Sequence, residues 1–331
     1  MNSPLRILMT PAAAQQAGAG LAEALGGRTH LVVNAGDDAD VAFVSRDVTG
    51  LSTKHAVLPE TQRFHDALRG APSLRWVHAH SSGADRPVYG ELLARGVAVT
   101  TSSGANAGVV VQTALAGVLM LARCFPQLLE AQRSRSWAPL VGSGLPRDLA
   151  GQTAVIVGWG PIGQGLGSLL AALGLRVIAV RSSDGAAAAP ASESVRYERL
   201  GEVLPRADWL LLACPLSERT RNLVDTAALA RLPAGARLVN VARGEVVDEA
   251  ALIDALQRRG IAGAALDVFW EEPLARDHPL VEMDQVVLTP HLGYVTEENM
   301  RVFFSEMVAD IAGFLDGRPV RVLNPEVLTG R

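Results

Sequence analysis

The sequence predicts an α/β protein: a doubly wound parallel sheet inserted in a smaller α/β domain. Three observations carry this expectation. Short, nearly continuous apolar runs recur along the chain with helical stretches between most of them, the pattern of parallel strands covered on both faces. A glycine loop, Gly158-Trp159-Gly160-Pro161-Ile162-Gly163, separates one such run from a helix. At 331 residues the chain is long enough for two domains with substantial cores.

The opening stretch has its own alternation. Strands are expected over Arg6 to Met9, His30 to Val33, Val41 to Ser45, Leu74 to Ala79 and Val97 to Thr101, with an alanine-rich helix near Ala12 to Leu25. A long apolar helix is expected from about Val110 to Arg133, crossing between domains, and a helix near Glu297 to Leu315 returns to the first. The boundaries are therefore 1–104 for the first segment of a flavodoxin-like substrate domain, 105–292 for a Rossmann dinucleotide-binding domain, and 293–331 for the return. Substrate is expected in the cleft between the two domains, whose closure would exclude water. Ala186-Ala187-Ala188-Ala189-Pro190 reads as a surface connection.

The glycine loop has a physical rationale. Thr153 to Val157 reads as a buried strand and Gly165 to Leu173 as the following helix. Gly158 allows the tight turn, Gly160 lets backbone approach a pyrophosphate, and Gly163 lets helix and strand pack closely; Pro161 and Ile162, within the loop, are expected against the cofactor. The positive helix end favours the phosphates. After the second strand, Arg176 to Val180, a site for NAD usually places a carboxylate on the ribose 2'-hydroxyl. This chain has Arg181-Ser182-Ser183 instead. A guanidinium can take a 2'-phosphate bidentately and the hydroxyls can add hydrogen bonds, so NADP(H) is favoured over NAD(H). Arg181 as a solvated residue, or one stacked on adenine, stays open, since Asp184 follows closely.

Later strands repeat one rule: an apolar run, then a chemically useful residue at its carboxyl end. Trp209 to Ala213 leads into Cys214-Pro215, Leu238 to Ala242 into Arg243, Ala264 to Leu266 into Asp267, and Val286 to Thr289 into Pro290-His291. Ligands of such sheets bind outside the carboxyl ends of the strands. Arg243 and His291 are thus expected at one crevice, with Glu272 in the loop beyond Asp267 at the same rim. Cys214, Pro215 and Ala242 are expected against the cofactor. When hydride attacks the carbonyl of a 2-oxo acid, charge builds on oxygen and a proton must arrive. An imidazole titrating near working pH is the natural donor, a neighbouring carboxylate favours its charged form and fixes the ring, and a guanidinium holds the substrate carboxylate and polarises the ketone. Taken singly, Arg243 also reads as a structural ion-pair member, Glu272 as a solvated acid, Asp267 as a helix cap and His291 as a histidine satisfied by backbone.

The chain resembles the D-isomer-specific 2-hydroxyacid dehydrogenase family over nearly its whole length. The segments that carry this are Asp148-Leu149-Ala150-Gly151 with the glycine loop, Cys214-Pro215-Leu216, Asn240-Val241-Ala242-Arg243-Gly244, Gly263 to Phe269, Glu272-Pro273-Leu274, His278-Pro279-Leu280 and Thr289-Pro290-His291-Leu292-Gly293. The resemblance implies that Arg243, Glu272 and His291 form the catalytic set and that Asp267 helps hold the nicotinamide end. It also implies that backbone N–H groups of Ser81 to Asp85, Ser82 and Gly83 among them, take the substrate carboxylate. Glyoxylate- or hydroxypyruvate-like substrates are favoured, and a homodimer is expected. Two features depart from the family's usual pattern: Val110-Val111-Gln112-Thr113 lacks an acid that members often carry, and Arg181 replaces the usual acid. The resemblance leaves phosphite oxidation open, and a dinucleotide-sensing corepressor or scaffold is the alternative from another class.

The remaining features narrow the field. Net charge of −4 gives no basic surplus for nucleic acid or anionic membranes. Cys124 and Cys214 are the only cysteines, which fits a reducing compartment, so cytoplasm is the expectation. The apolar start Leu5 to Met9 stops at Thr10-Pro11, too short for a signal core, and no segment is apolar enough for a bilayer span. Lys54 is the only lysine, so a P-loop is excluded. His78 and His80 alternate on one strand, but two ligands without a third make a poor site, so no metal is expected. Trp137 is expected to pack within the chain, although the family resemblance also suggests reach toward a neighbouring subunit.

Overall fold

Parallel pairing runs through two separate sheets, and each has helices on both faces. The computed structural model describes residues 3–50, 52–53, 56–81, 83–141, 145–187, 189–293, 299–318 and 323. Two compact units result: Met1–Asn106 with Thr296–Arg331, and Ala107–Val295.

The first unit begins β1 (Leu5–Leu8), α1 (Pro11–Ala24), β2 (His30–Val33), β3 (Val41–Val44), α2 (Arg46–Thr49), α3 (Pro59–Gly70), β4 (Trp76–Ala79), α4 (Pro87–Ala94) and β5 (Ala98–Thr101). Its sheet runs β2-β1-β3-β4-β5, the flavodoxin-like order. Side chains alternate across it: Ala42, Val44, Val77 and Ala79 meet Phe64, Leu68 and Leu92 on one face, while Val41, Phe43, Trp76 and Ala98 face α1 on the other.

The second unit comprises α5 (Ala107–Ala122), α6 (Phe125–Arg133), β6 (Thr153–Val157), α7 (Pro161–Ala172), β7 (Arg176–Arg181), β8 (Ala191–Arg196), α8 (Leu200–Val203), β9 (Trp209–Leu212), α9 (Thr226–Leu229), β10 (Arg237–Asn240), α10 (Glu249–Gln257), β11 (Gly263–Leu266) and β12 (Val286–Leu288). The order β12-β11-β10-β9-β6-β7-β8 reverses between β6 and β9, the switch point of a doubly wound sheet. Ala154, Ile156, Trp209, Leu211 and Val239 pack on α5 and α7; Val155, Val157, Leu210, Leu212 and Leu238 pack on the opposite face. The chain then adds α11 (Asn299–Leu315) to the first unit, where Phe304, Met307, Ile311 and Phe314, three or four residues apart, cover Phe43 and Trp76.

Three expectations change. The single helix from Val110 to Arg133 is two helices meeting at 71°. Cys124 takes a left-handed backbone at φ 57, and Pro126 in the first turn of α6 has no N–H to give a continuous helix. No single helix among the described residues is long and apolar enough to cross a membrane. Beyond the alanine-rich connection, β8 is an extra edge strand; its Ala-Ser-Glu-Ser-Val-Arg composition carries no apolar run. Trp137 does not pack within the chain: it stands 92% exposed, in a stretch with exposed Val141 and Leu145.

Candidate active site

The glycine loop is built by contacts that admit no side chain. Gly158, at φ 99, lies so close to the strand end of β9 that a Cβ would sit 2.6 Å from the Ala213 carbonyl and the Cys214 nitrogen. A Cβ on Gly163 would fall 1.9 Å from Gly158 O, so the first turn of α7 rests directly on the loop. Gly160 differs: a Cβ there would meet nothing within 4 Å. The space over Gly160 is open, and a side chain would occupy it. Gly160 caps α7 without a side-chain hydrogen bond and Pro161 opens the helix, leaving the Ile162 and Gly163 N–H groups without an earlier helical carbonyl to bond. Trp159 folds away from this space, its ring against Gly167. The cradle fits a pyrophosphate at a helix N-terminus.

Arg181 ends β7, beside Arg196 of β8 in register. Its guanidinium lies against Gly185, and Ser182 and Ser183 are exposed. Cys214 is buried at the end of β9, and burial pushes its thiol up to about 12, so it is a packing residue in its neutral form. Pro215 accepts the Thr220 hydroxyl through its carbonyl, which winds the following turn. Ala242 is buried; its N–H donates to Asn240 Oδ1 while Asn240 Nδ2 donates to Arg243 O. Asn240 thereby braces the backbone on both sides of Arg243, a role its place at a strand end did not announce.

Arg243 is half-buried, with Nη1 donating to Ala242 O. A Cβ on the next residue, Gly244, would lie 2.1 Å from the Phe269 carbonyl carbon, so the loops after β10 and β11 touch. Glu272 sits in the second of these. Its Oε1 accepts the Phe269 N–H at 3.1 Å and its Oε2 lies 2.8 Å from His291 Nδ1. Burial pushes the Glu272 carboxyl up, but the His291 hydrogen bond and charge, the Phe269 N–H and the Arg243 charge outweigh it, holding the group below its ordinary range. The ionised carboxylate only accepts, so the proton between the pair belongs to Nδ1, leaving Nε2 as the exchanging nitrogen.

His291 occupies a left-handed backbone at φ 55, a region a residue with a side chain adopts at some cost. Its N–H donates to Thr289 O across Pro290. Asp267 secures this turn: its Oδ1 accepts the Thr289 hydroxyl at 2.6 Å and the Leu292 N–H at 2.9 Å, and its Oδ2 the Gly293 N–H at 2.9 Å. Asp267 is thus neither a helix cap nor a surface acid; it is 4% exposed and grips the loop that carries the imidazole. Three predicted residues, Arg243, Glu272 and His291, are brought to adjoining loops at the carboxyl ends of β10, β11 and β12.

In the other unit, Gly83 O accepts the Ser81 hydroxyl at 2.7 Å, and Ser82 lies outside the described residues. His78 is fully buried, with ring nitrogens 2.9 Å from Thr100 and Ser102 hydroxyls. Among the described residues, no three His, Cys, Asp or Glu side chains are grouped to hold a metal.

Residues 115–293 match the model for the D-isomer specific 2-hydroxyacid dehydrogenase, NAD binding domain. The chain belongs to this family. Glyoxylate reductase of Korarchaeum cryptofilum is 33% identical over 278 residues, 80% of this chain and 81% of that one. D-3-phosphoglycerate dehydrogenase of Mycobacterium tuberculosis H37Rv is 36% identical over 270 residues, 80% of this chain but 50% of its own length; the chain spans about half of the phosphoglycerate dehydrogenases it matches. The D-isomer specific 2-hydroxyacid dehydrogenase from Xanthobacter autotrophicus Py2, solved with NADPH and MES, is 29% identical and superposes with a TM-score of 0.75 over 99% of this chain and 100% of that one. As a family member, this D-isomer specific 2-hydroxyacid dehydrogenase homologue carries a nicotinamide-cofactor domain in its second unit.

Proposed function

We propose that the chain is an NADP(H)-dependent dehydrogenase that interconverts small 2-oxo and D-2-hydroxy acids, with glyoxylate- or hydroxypyruvate-like substrates favoured. The observation that carries this reading is the 2.8 Å His291–Glu272 pair at the same carboxyl end of the parallel strands as the open cradle over Gly160. A bound nicotinamide supplies or accepts the hydride. Protonated His291 gives its Nε2 proton to the oxygen of the reduced carbonyl, and the neutral ring takes it back in the oxidation direction. Glu272 keeps the proton on Nδ1 and stabilises the imidazolium; Arg243 holds the substrate carboxylate and polarises the carbonyl. The preference for the 2'-phosphorylated cofactor rests on Arg181 at the end of β7 with Ser182 and Ser183 following; the NADPH of the Xanthobacter relative agrees with it.

The test is absorbance at the nicotinamide band with glyoxylate, hydroxypyruvate and phenylpyruvate, using NADPH and NADH in parallel. Steady oxidation of NADPH with at least one acid is expected, and His291→Gln abolishes it. Tight cofactor binding with no turnover across the panel would instead favour a dinucleotide sensor. The assembly we propose is a homodimer, supported by exposed Trp137, Val141 and Leu145; a monomer in sedimentation equilibrium contradicts it.

A further inference from the structure

We infer that Arg219, on the turn after β9, is a second cationic arm for the 2'-phosphate of the cofactor and sets the preference for it together with Arg181. The inference rests on the NADP(H) reading given above.

Arg219 is not where sequence alone would look for a phosphate ligand, since it follows β9 rather than β7. The turn that carries it is wound tightly: Thr220, 1% exposed, donates its hydroxyl to Pro215 O, and Ser217 N–H donates to Thr220 Oγ1. From there the Arg219 side chain reaches the segments that follow β7 and β8, although β6 lies between β9 and β7 in the sheet. Its Nη2 donates to Ser182 O at 3.1 Å and to Glu198 Oε1 at 2.5 Å, and its guanidinium lies 5.5 Å over the Tyr197 ring. The arm therefore ends at the residue next to Arg181, just past the end of β7. One nitrogen makes both of these hydrogen bonds. Nε and Nη1 make none among the described residues, and a guanidinium has five donors in all.

The surrounding charges are arranged asymmetrically. Arg196 pairs with Asp184 at 3.0 Å and with Glu198 at 3.3 Å, and Glu198 also takes Arg219. Arg181 has no ion pair among the described residues. Two carboxylates thus pair with two of the three guanidinium groups, and Arg181 is left beside the exposed Ser182 and Ser183 hydroxyls. Glu198 and the Tyr197 ring fix Arg219 in place without using its remaining donors, so that little side-chain freedom is lost when a dianion arrives. Removing an arginine that only braced the loop would weaken every dinucleotide alike.

The experiment compares binding of 2',5'-ADP and 5'-AMP by calorimetry, and kcat/KM for NADPH and NADH, in the full chain and in Arg219→Ala and Arg219→Gln. The glutamine side chain stays polar but is shorter and carries no charge, and it serves if the alanine variant folds poorly. Both variants are expected to weaken 2',5'-ADP by about tenfold to a hundredfold, the range for a lost charge-assisted hydrogen bond, with 5'-AMP changed by less than about twofold. Equal weakening of the two nucleotides, or none, overturns the assignment. If the unaltered protein itself prefers 5'-AMP and NADH, the NADP(H) reading fails. If it prefers the 2'-phosphorylated forms and only Arg181→Ala loses that preference, that reading stands and the role of Arg219 does not.

Discussion

Glu272 holds His291 by one carboxylate oxygen, at 2.8 Å from Nδ1, while its other oxygen accepts the Phe269 N–H. The acid is therefore fixed from its own loop before it meets the ring, and the imidazole orients against a rigid partner. Because the carboxyl lies below its ordinary value despite burial, it is ionised through the neutral range. Its contribution to stability is full above the ordinary carboxylate range and is lost only as pH falls through the lowered folded value.

The first prediction concerns this pair. Glu272→Gln keeps the size of the side chain and can still accept the Phe269 N–H, but it then presents an NH2 group to Nδ1. That donor forces the neutral ring to carry its proton on Nε2, the wrong nitrogen for taking a proton from the hydroxy acid. Oxidation of the 2-hydroxy acid should fall by about 10²–10⁴, the usual weight of general acid–base catalysis, with cofactor affinity held within about twofold. Steady-state kinetics with a parallel cofactor titration reads both; unchanged turnover removes Glu272 from the mechanism.

The second prediction concerns the grip of Asp267. All three of its hydrogen bonds come from the segment Thr289 to Gly293, two of them from backbone N–H groups at its different oxygens. Asn has a single acceptor oxygen, so in either amide orientation Asp267→Asn leaves a backbone N–H facing another donor. A buried unsatisfied donor costs about 1–3 kcal/mol, and the left-handed turn at His291 loses the support that offsets its strain. Urea unfolding should show that loss of stability, and kcat should fall more than cofactor affinity. Full stability with full activity would mean the turn at His291 holds itself.

Much of this was legible because the sheets are covered on both faces. Ile156, Leu211 and Val239 must be apolar on one side and Val155, Leu210 and Leu238 on the other, so strands read as unbroken runs and their carboxyl ends mark the rim where Arg243 and His291 lie. At the edge that signal is lost: β8 pairs on one side only, and its Ser192, Glu193 and Ser194 look like loop. The break between α5 and α6 had a signal in Pro126, outweighed by the apolar run before it. Asn240, Asp267 and Arg219 act through bonds to backbone or to residues about twenty or more positions away, or depend on a turn's exact path, and linear spacing carries no trace of such partners.

The third prediction concerns the first unit's response to acid. His80 is buried beyond the end of β4, its Nε2 2.9 Å from the Thr49 hydroxyl and its Nδ1 without a partner among the described residues. Burial, reinforced by Arg46, Arg86 and His78 and opposed by Asp47, lowers it to about 4. Burial likewise lowers His65 to about 4, with Arg86 and Arg69 adding to the effect and Asp66 and Glu91 opposing it. An unfolded chain protonates these rings near their ordinary value of about 6.5, whereas the folded chain resists until about 4. The unfolded state therefore binds more protons in this window, and stability falls as pH drops from about 6.5 to about 4. Each ring contributes on the order of 2–3 kcal/mol to that fall. Thermal unfolding followed from pH 7.5 to 4.5 should show a declining midpoint, and His65→Leu, which removes one titrating ring from a buried position, should make the decline shallower. A midpoint independent of pH over this range would show that these imidazoles do not titrate in it, and an equal slope in the variant would remove His65 from the account.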